Sequence, residues 1–204
     1  NSTSVAVYPH VTHVDLWWNL TKSTHSICPG VRSVELYGCH QGEIEPIHPN
    51  VHELLQTPSL KHLMVAGTTS ISQLRFATAL AKSAIHADTL SCHTDWLLTL
   101  LEAKDYEHIC LLLTMRIRKL LLEDGEHILP QVNFIAFTRT FLHLEEITMR
   151  LSSIDDMFFF LNVLRRLKIA RFALLRGAFS NIGDLTERIR SSTILLDFTV
   201  ESED

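Results

Sequence analysis

Apolar residues recur along the chain in one short phrase: apolar, two residues, apolar, one residue, apolar. It reads Val11-x-x-Val14-x-Leu16, Val31-x-x-Val34-x-Leu36, Leu60-x-x-Leu63-x-Val65 and Ala87-x-x-Leu90-x-Cys92. It continues as Ile117-x-x-Leu120-x-Leu122, Leu144-x-x-Ile147-x-Met149, Leu164-x-x-Leu167-x-Ile169 and, more weakly, Thr193-x-x-Leu196-x-Phe198. In a chain that is 46% apolar such a phrase recurs by chance, so the weight rests on its spacing. The central residues Val14, Val34, Leu63, Leu90, Leu120, Ile147, Leu167 and Leu196 follow one another at intervals of 20 to 30 residues. A fixed interval of that length is the signature of stacked supersecondary units.

Between the phrases the period changes from 2 to between 3 and 4, which predicts a helix after each short strand. Ile71, Leu74, Ala77, Ala81 and Ala84 keep helical spacing up to Ile85, and Val51, Leu54 and Leu55 do so before Pro58. Trp96, Leu97, Leu100 and Leu101 follow a cap at Thr94. Ser153 and Asp156 form a capping box, with Asp in place of Glu, ahead of the apolar run Met157 to Leu164. Ile182, Leu185 and Ile189 make a further stripe after Ser180. The whole chain therefore reads as alternating strand and helix, an α/β protein. A doubly wound sheet fits less well. The strands alternate instead of forming continuous apolar runs, and the seven glycines make neither GxGxxG nor GxxxxGK[ST].

Two units carry a fuller motif. Val31-Arg32-Ser33-Val34-Glu35-Leu36-Tyr37-Gly38-Cys39 fits LxxLxLxxC, and Leu60-Lys61-His62-Leu63-Met64-Val65-Ala66-Gly67-Thr68 fits it with Thr at the turn. On these residues the chain resembles the leucine-rich-repeat superfamily, in particular the irregular repeats that follow F-box domains. The resemblance implies a solenoid (a horseshoe) of residues 1–204 as a single array, with short parallel strands on the concave side and helices on the convex side. It implies a protein-recognition module, the substrate-binding repeats of an F-box type ubiquitin-ligase adaptor, working in the cytoplasm or the nucleus. A small α/β enzyme with its active site at the strand C-terminal ends stands as the alternative.

If the central residues face inward, the positions one before, one after and three after each of them face outward. At one end these are His13, Asp15 and Trp17, then Ser33, Glu35 and Tyr37, then His62, Met64 and Ala66. At the other they are Lys119, Leu121 and Glu123, then Glu146, Thr148 and Arg150, then Arg166, Lys168 and Ala170. Exposed aromatics beside a few charges are what protein interfaces use as anchors. The expected partner-binding residues are Trp17, Tyr37, His62, Met64, Asp15 and Glu35, with Lys119, Arg150, Arg166 and Lys168 as a basic set.

Charge and chemistry narrow this little further. A net charge of -5 with 20% charged residues is too mild for a nucleic-acid binder. No apolar run reaches the roughly 18 residues of a membrane helix. The segment from Ile109 to Leu122 is interrupted by Arg116, Arg118 and Lys119. The chain opens at Asn1 with neither a basic nor an apolar leader segment, which reads as a piece of a longer protein. Cys28, Cys39, Cys92 and Cys110 form no CxxC, so buried thiols in a reducing compartment are expected, although Asn19-Leu20-Thr21 is a glycosylation sequon. Among the twelve histidines, His48-x-x-x-His52 is interrupted by Pro49, and His10-x-x-His13 and Cys92-His93 are isolated pairs. GxSxG and SxxK are absent, and no catalytic, cofactor or metal residue is assigned.

Overall fold

The computed structural model describes residues 6–7, 9–17, 26–27, 29–37, 58–66, 84–102, 115–123, 128–174 and 197–202. Ten strands lie among them: β1 Ala6–Val7, β2 His13–Trp17, β3 Ser26–Ile27, β4 Ser33–Tyr37, β5 His62–Ala66, β6 Thr89–His93, β7 Lys119–Glu123, β8 Glu146–Leu151, β9 Ile169–Leu174 and β10 Asp197–Ser202. The described helices are α1 Thr94–Glu102, α2 Phe134–Thr140 and α3 Ile154–Val163, with a 3-10 turn at Gln131–Asn133. The architecture is α/β. Strands β2 and β4 to β10 form one eight-stranded sheet, parallel throughout, in which each strand lies beside its successor in the chain. Strands β1 and β3 make a separate two-stranded parallel pair.

The phrase detected in the sequence sets the sheet register. Val14, Val34, Leu63, Leu90, Leu120, Ile147 and Ala170 occupy one row across seven strands. Val34, Leu63, Leu90, Leu120, Ile147 and Ala170 are all buried. A second buried row, Val65, Cys92, Leu122, Met149 and Phe172, stands two residues further along each strand, on the same face. Ahead of the strands, Val31, Leu60, Ala87, Ile117 and Leu144 are buried as well.

One backbone contact recurs at every junction between described strands from β2 to β9. The carbonyl of Thr12 accepts the amides of Arg32 and Ser33, and that of Arg32 accepts those of Lys61 and His62. Lys61 does the same for Asp88 and Thr89, Asp88 for Arg118 and Lys119, Arg118 for Glu145 and Glu146, and Glu145 for Lys168 and Ile169. The carbonyl just before one strand thus fixes the start of the next. Gly30, in the turn ahead of β4, has its backbone hard against the turn ahead of β2. A Cβ there would lie 2.6 Å from the Pro9 carbonyl oxygen.

Helix α1 contacts β6 and α3 contacts β8, and their apolar side chains share one core with the buried rows. In α1 three of the expected stripe, Trp96, Leu97 and Leu100, are buried, and the fourth, Leu101, is partly buried against the same core. Ser153 caps α3 by accepting the Asp156 amide at 3.1 Å. The reciprocal half of the expected box is replaced: the buried Asp156 carboxylate accepts from Ser152 Oγ at 2.5 Å and from Gln131 Nε2 at 2.7 Å. It therefore ties α3 to the preceding 3-10 turn. Helix α2 has no counterpart in the sequence reading. Its Phe134 and Phe137 join Phe141, Phe159 and Phe160 in a chain of tilted and edge-on rings with centroids 4.6–5.4 Å apart, and this cluster packs α2 on α3.

Two expectations change. The seventh phrase is set three residues late in the chain: it is Leu167-x-x-Ala170-x-Phe172, because Leu164 closes α3 and Leu167 follows in the turn. The eighth phrase also shifts, since Phe198 stands beside Ala170 in the backbone register and Leu196 lies outside the described residues. In the return before β4 the described residues include the two-residue strand β3. The helices expected over Val51 to Leu55 and Ile182 to Ile189, and most of that over Ile71 to Ile85, lie outside the described residues.

Leu120→Ala, in the middle of the buried row, is expected to cost about 2–5 kcal/mol. Leu167→Ala, at a partly buried turn, should cost less than about 2 kcal/mol. Denaturant titration of both variants checks the corrected register. Gly30→Ala should destabilise by about 1–3 kcal/mol, since the obstacle is backbone rather than a movable side chain; the same titration reads it.

Candidate binding surface

Strand alternation leaves one side of the sheet lined by residues outside the apolar rows. Three rows cross it. The first is His13, Ser33, His62, Thr89, Lys119, Glu146 and Ile169, and the second is Asp15, Glu35, Met64, Ser91, Leu121, Thr148 and Arg171. The third includes Ala66, His93, Glu123, Arg150 and Ala173. The described side chains of these rows are half-buried to exposed, except Ser91. Ser91 is small, stands between Met64 and Leu121 in the register, and bonds to His62.

At the β2 end the side chains are acidic and imidazole. His13 Nε2 donates to Asp15 Oδ1 at 2.7 Å and stands 3.8 Å from Glu35 Oε2. Asp15 and Glu35 are directly opposite in the register. His62 comes next, with Ser33 Oγ 3.3 Å from its Nδ1 and Ser91 Oγ 2.7 Å from its Nε2. A neutral ring can satisfy both serines, donating at one nitrogen and accepting at the other. Partial burial holds the His62 pKa below its ordinary value, with the neighbouring His13 adding to this and Glu35 opposing it. The centre of the face, Met64, Ser91, Leu121 and Thr148, carries no charge.

At the β8 end the charges are matched. Glu146 accepts from Arg171 at 2.5 Å and lies 3.2 Å from Lys119 Nζ. The bond from Arg171, more than that from Lys119, holds the Glu146 carboxyl below the usual carboxylate range. Just before the strands, Lys168 donates to Glu145 at 2.6 Å and lowers the pKa of that carboxyl likewise.

Most of the residues expected from the sequence lie on this face. Asp15, Glu35, His62, Met64, Lys119 and Arg150 are on it. Trp17 and Tyr37 pair with each other at the ends of β2 and β4, and their side chains fall outside the described residues. Arg166 and Lys168 do not flank an inward strand residue. Arg166 is in the turn after α3 and Lys168 immediately precedes β9. The outward residues of β9 are Ile169, Arg171 and Ala173, while Ala170 faces the core, because of the three-residue shift described above. The basic set is therefore not a patch of unmatched positive charge: Lys119 and Lys168 are each paired with a glutamate.

Of the other residues on the face, the sequence places His13, Ser33 and Glu146 outward without assigning them to the binding set, and it misses Arg171; their mutual contacts depend on which strands are neighbours. Cys92 and His93, adjacent in sequence, point to opposite sides of β6. Burial raises the Cys92 pKa far above the usual thiol range, with Glu123 adding to it, so the thiol stays protonated and inert. Cys28, Cys39, Cys110, His48 and His52 lie outside the described residues. Among the described residues no helix is long and apolar enough to cross a membrane. Compared with known proteins, the chain matches no family model, no curated sequence and no solved structure.

The Glu146 pairing makes a pH-dependent contribution to stability. Its folded pKa is below the unfolded value of about 4.3. The contribution is thus complete above that value and is lost as pH falls through the folded pKa. Lys119 and Arg171 are half exposed, so screening limits the effect. Glu146→Gln should destabilise by about 1 kcal/mol at neutral pH. Unfolding measured as a function of pH should show the difference from the parent protein closing in acid, and added salt should shrink it.

Proposed function

We propose that the chain is a leucine-rich-repeat solenoid whose strand-lined face is a protein-recognition surface. The observation that carries this reading is the recurrence of one unit: an apolar triplet, a short strand and a carbonyl bonded to the next unit, repeated in chain order across a parallel sheet. Units that touch only their neighbours build such an array, and the curved sheet presents its outward side chains to a partner. The residue choice supports recognition. An uncharged centre with Met64 and Leu121 is flanked by an acidic end and an ion-paired end. Apolar centres with polar rims are the usual anatomy of interfaces.

Within that reading, the irregular repeat lengths and the turn Cys39 favour the substrate-binding repeats of an F-box type ubiquitin-ligase adaptor. The partner surface is assigned to Trp17, Tyr37, His62 and Met64, with Asp15 and Glu35 beside them. Lys119 and Arg150 tune association from the other end. Arg166 and Lys168, off the strand face, act at its rim.

Shape and binding test the two levels. Small-angle scattering should give a radius of gyration above the roughly 16–17 Å of a compact domain of this length. Against a partner recovered with the full-length protein, Trp17→Ala, Tyr37→Ala and Met64→Ala should each weaken binding by more than about 1 kcal/mol, through faster dissociation. Lys119→Ala should act on the association rate and its salt dependence. A larger loss from Val132→Ala or Ile135→Ala, exposed beside and on α2, would move the surface to the helix side.

A further inference from the structure

The two ends of the strand face treat their carboxylates differently. Glu146 has Arg171 and Lys119, and Glu145 has Lys168. Asp15 and Glu35 face each other across neighbouring strands, an arrangement of like charges that is unfavourable unless neutralised. Among the described residues no lysine or arginine is paired with either. What stands between them is an imidazole: His13 Nε2, 2.7 Å from Asp15 Oδ1 and 3.8 Å from Glu35 Oε2. One nitrogen and two carboxylate oxygens converge, all within 4.8 Å of one another.

We propose that His13 and Asp15 of β2 and Glu35 of β4 form a surface site for one divalent first-row transition-metal ion, with zinc the expected occupant. The backbone places the donors. Residues two apart on a strand share a face, which puts His13 beside Asp15, and the parallel register sets Glu35 opposite Asp15. Metal–nitrogen and metal–oxygen bonds of about 2.0–2.2 Å at tetrahedral angles put neighbouring donors about 3.3–3.6 Å apart. The contact to Asp15 has to open slightly and that to Glu35 to close slightly. The half-exposed His13 and Asp15 side chains have room to do both.

On binding, the Nε2 lone pair coordinates the ion and the ring proton resides on Nδ1. The ion takes the place of the His13–Asp15 hydrogen bond and neutralises the facing carboxylates. The nitrogen donor selects zinc, cobalt or nickel over magnesium and calcium, which prefer oxygen alone. Three protein ligands leave at least one coordination position for water or for a donor from outside the chain. The site stands independently of the recognition reading, because it needs no partner.

The test uses untagged, metal-free protein of the full chain. Calorimetric titration with zinc chloride should show one ion bound at this site, and cobalt(II) should give the visible absorption of a low-symmetry site. His13→Gln, Asp15→Asn and Glu35→Gln should each weaken zinc binding by at least about tenfold. His10→Gln, in the turn before β2, should leave it unchanged, and magnesium should not compete. The two carboxamide variants relieve charge repulsion and should keep the fold, which circular dichroism checks. No zinc binding by the parent protein overturns the site, as does binding that survives all three substitutions or falls equally with His10→Gln. None of these outcomes touches the partner measurements at Met64, so the metal site and the recognition surface fail separately.

Discussion

Everything on the strand face depends on one backbone contact: from β2 to β9, a carbonyl just before one strand of the sheet accepts two amides from the start of the next. It is made by main-chain atoms, so side-chain identity is irrelevant to it. That is why Thr12, Arg32, Lys61, Asp88, Arg118 and Glu145, six residues with little in common, can all occupy the position. The contact removes the freedom of neighbouring strands to slip. A slip of one residue would carry the buried rows to the outer face and the polar rows into the core. With the start of each strand fixed, the inward rows stay apolar and the outward rows form continuous lines of side chains.

Electrostatics on the face follow from that alignment. Charged residues separated by 20 to 30 positions in the chain become neighbours about 4.8 Å apart. The diagonal contact from His13 to Glu35 and that from Arg171 to Glu146 have the same geometry at opposite ends of the sheet. One is a histidine among carboxylates, and the other is a carboxylate among cations. Strands β5 and β6, whose outward residues include no lysine, arginine or carboxylate, separate them, a distance over which physiological salt screens much of their interaction.

Much of the sheet was legible in the sequence because a buried strand residue leaves a simple trace. From Val14 to Ile147 the expected inward residues hold the expected row. The trace failed where two overlapping phrases competed. Leu164-x-x-Leu167-x-Ile169 has the bulkier side chains, yet Leu167-x-x-Ala170-x-Phe172 is the strand, because the aromatic ring of Phe172 fills the inward row. Helix α2 was illegible for a different reason. Its phenylalanines are stabilised by Phe159 and Phe160 of α3, a contact between segments that no local periodicity records. On the face, which residues point outward could be read, but which charges meet could not. Pairing of Glu146 with Arg171 requires knowing the register of β9.

The interval between strands varies by half its shortest length, yet the carbonyl contact recurs unchanged. The returns therefore act as spacers whose length has no bearing on the face. Gains and losses of residues during descent can accumulate behind the sheet while the rows in front keep their alignment. Conversely, outward residues can be exchanged one at a time without disturbing a buried neighbour. Such a chain can diverge until little sequence likeness is left and still present a ruled grid of side chains, each cell open to separate selection.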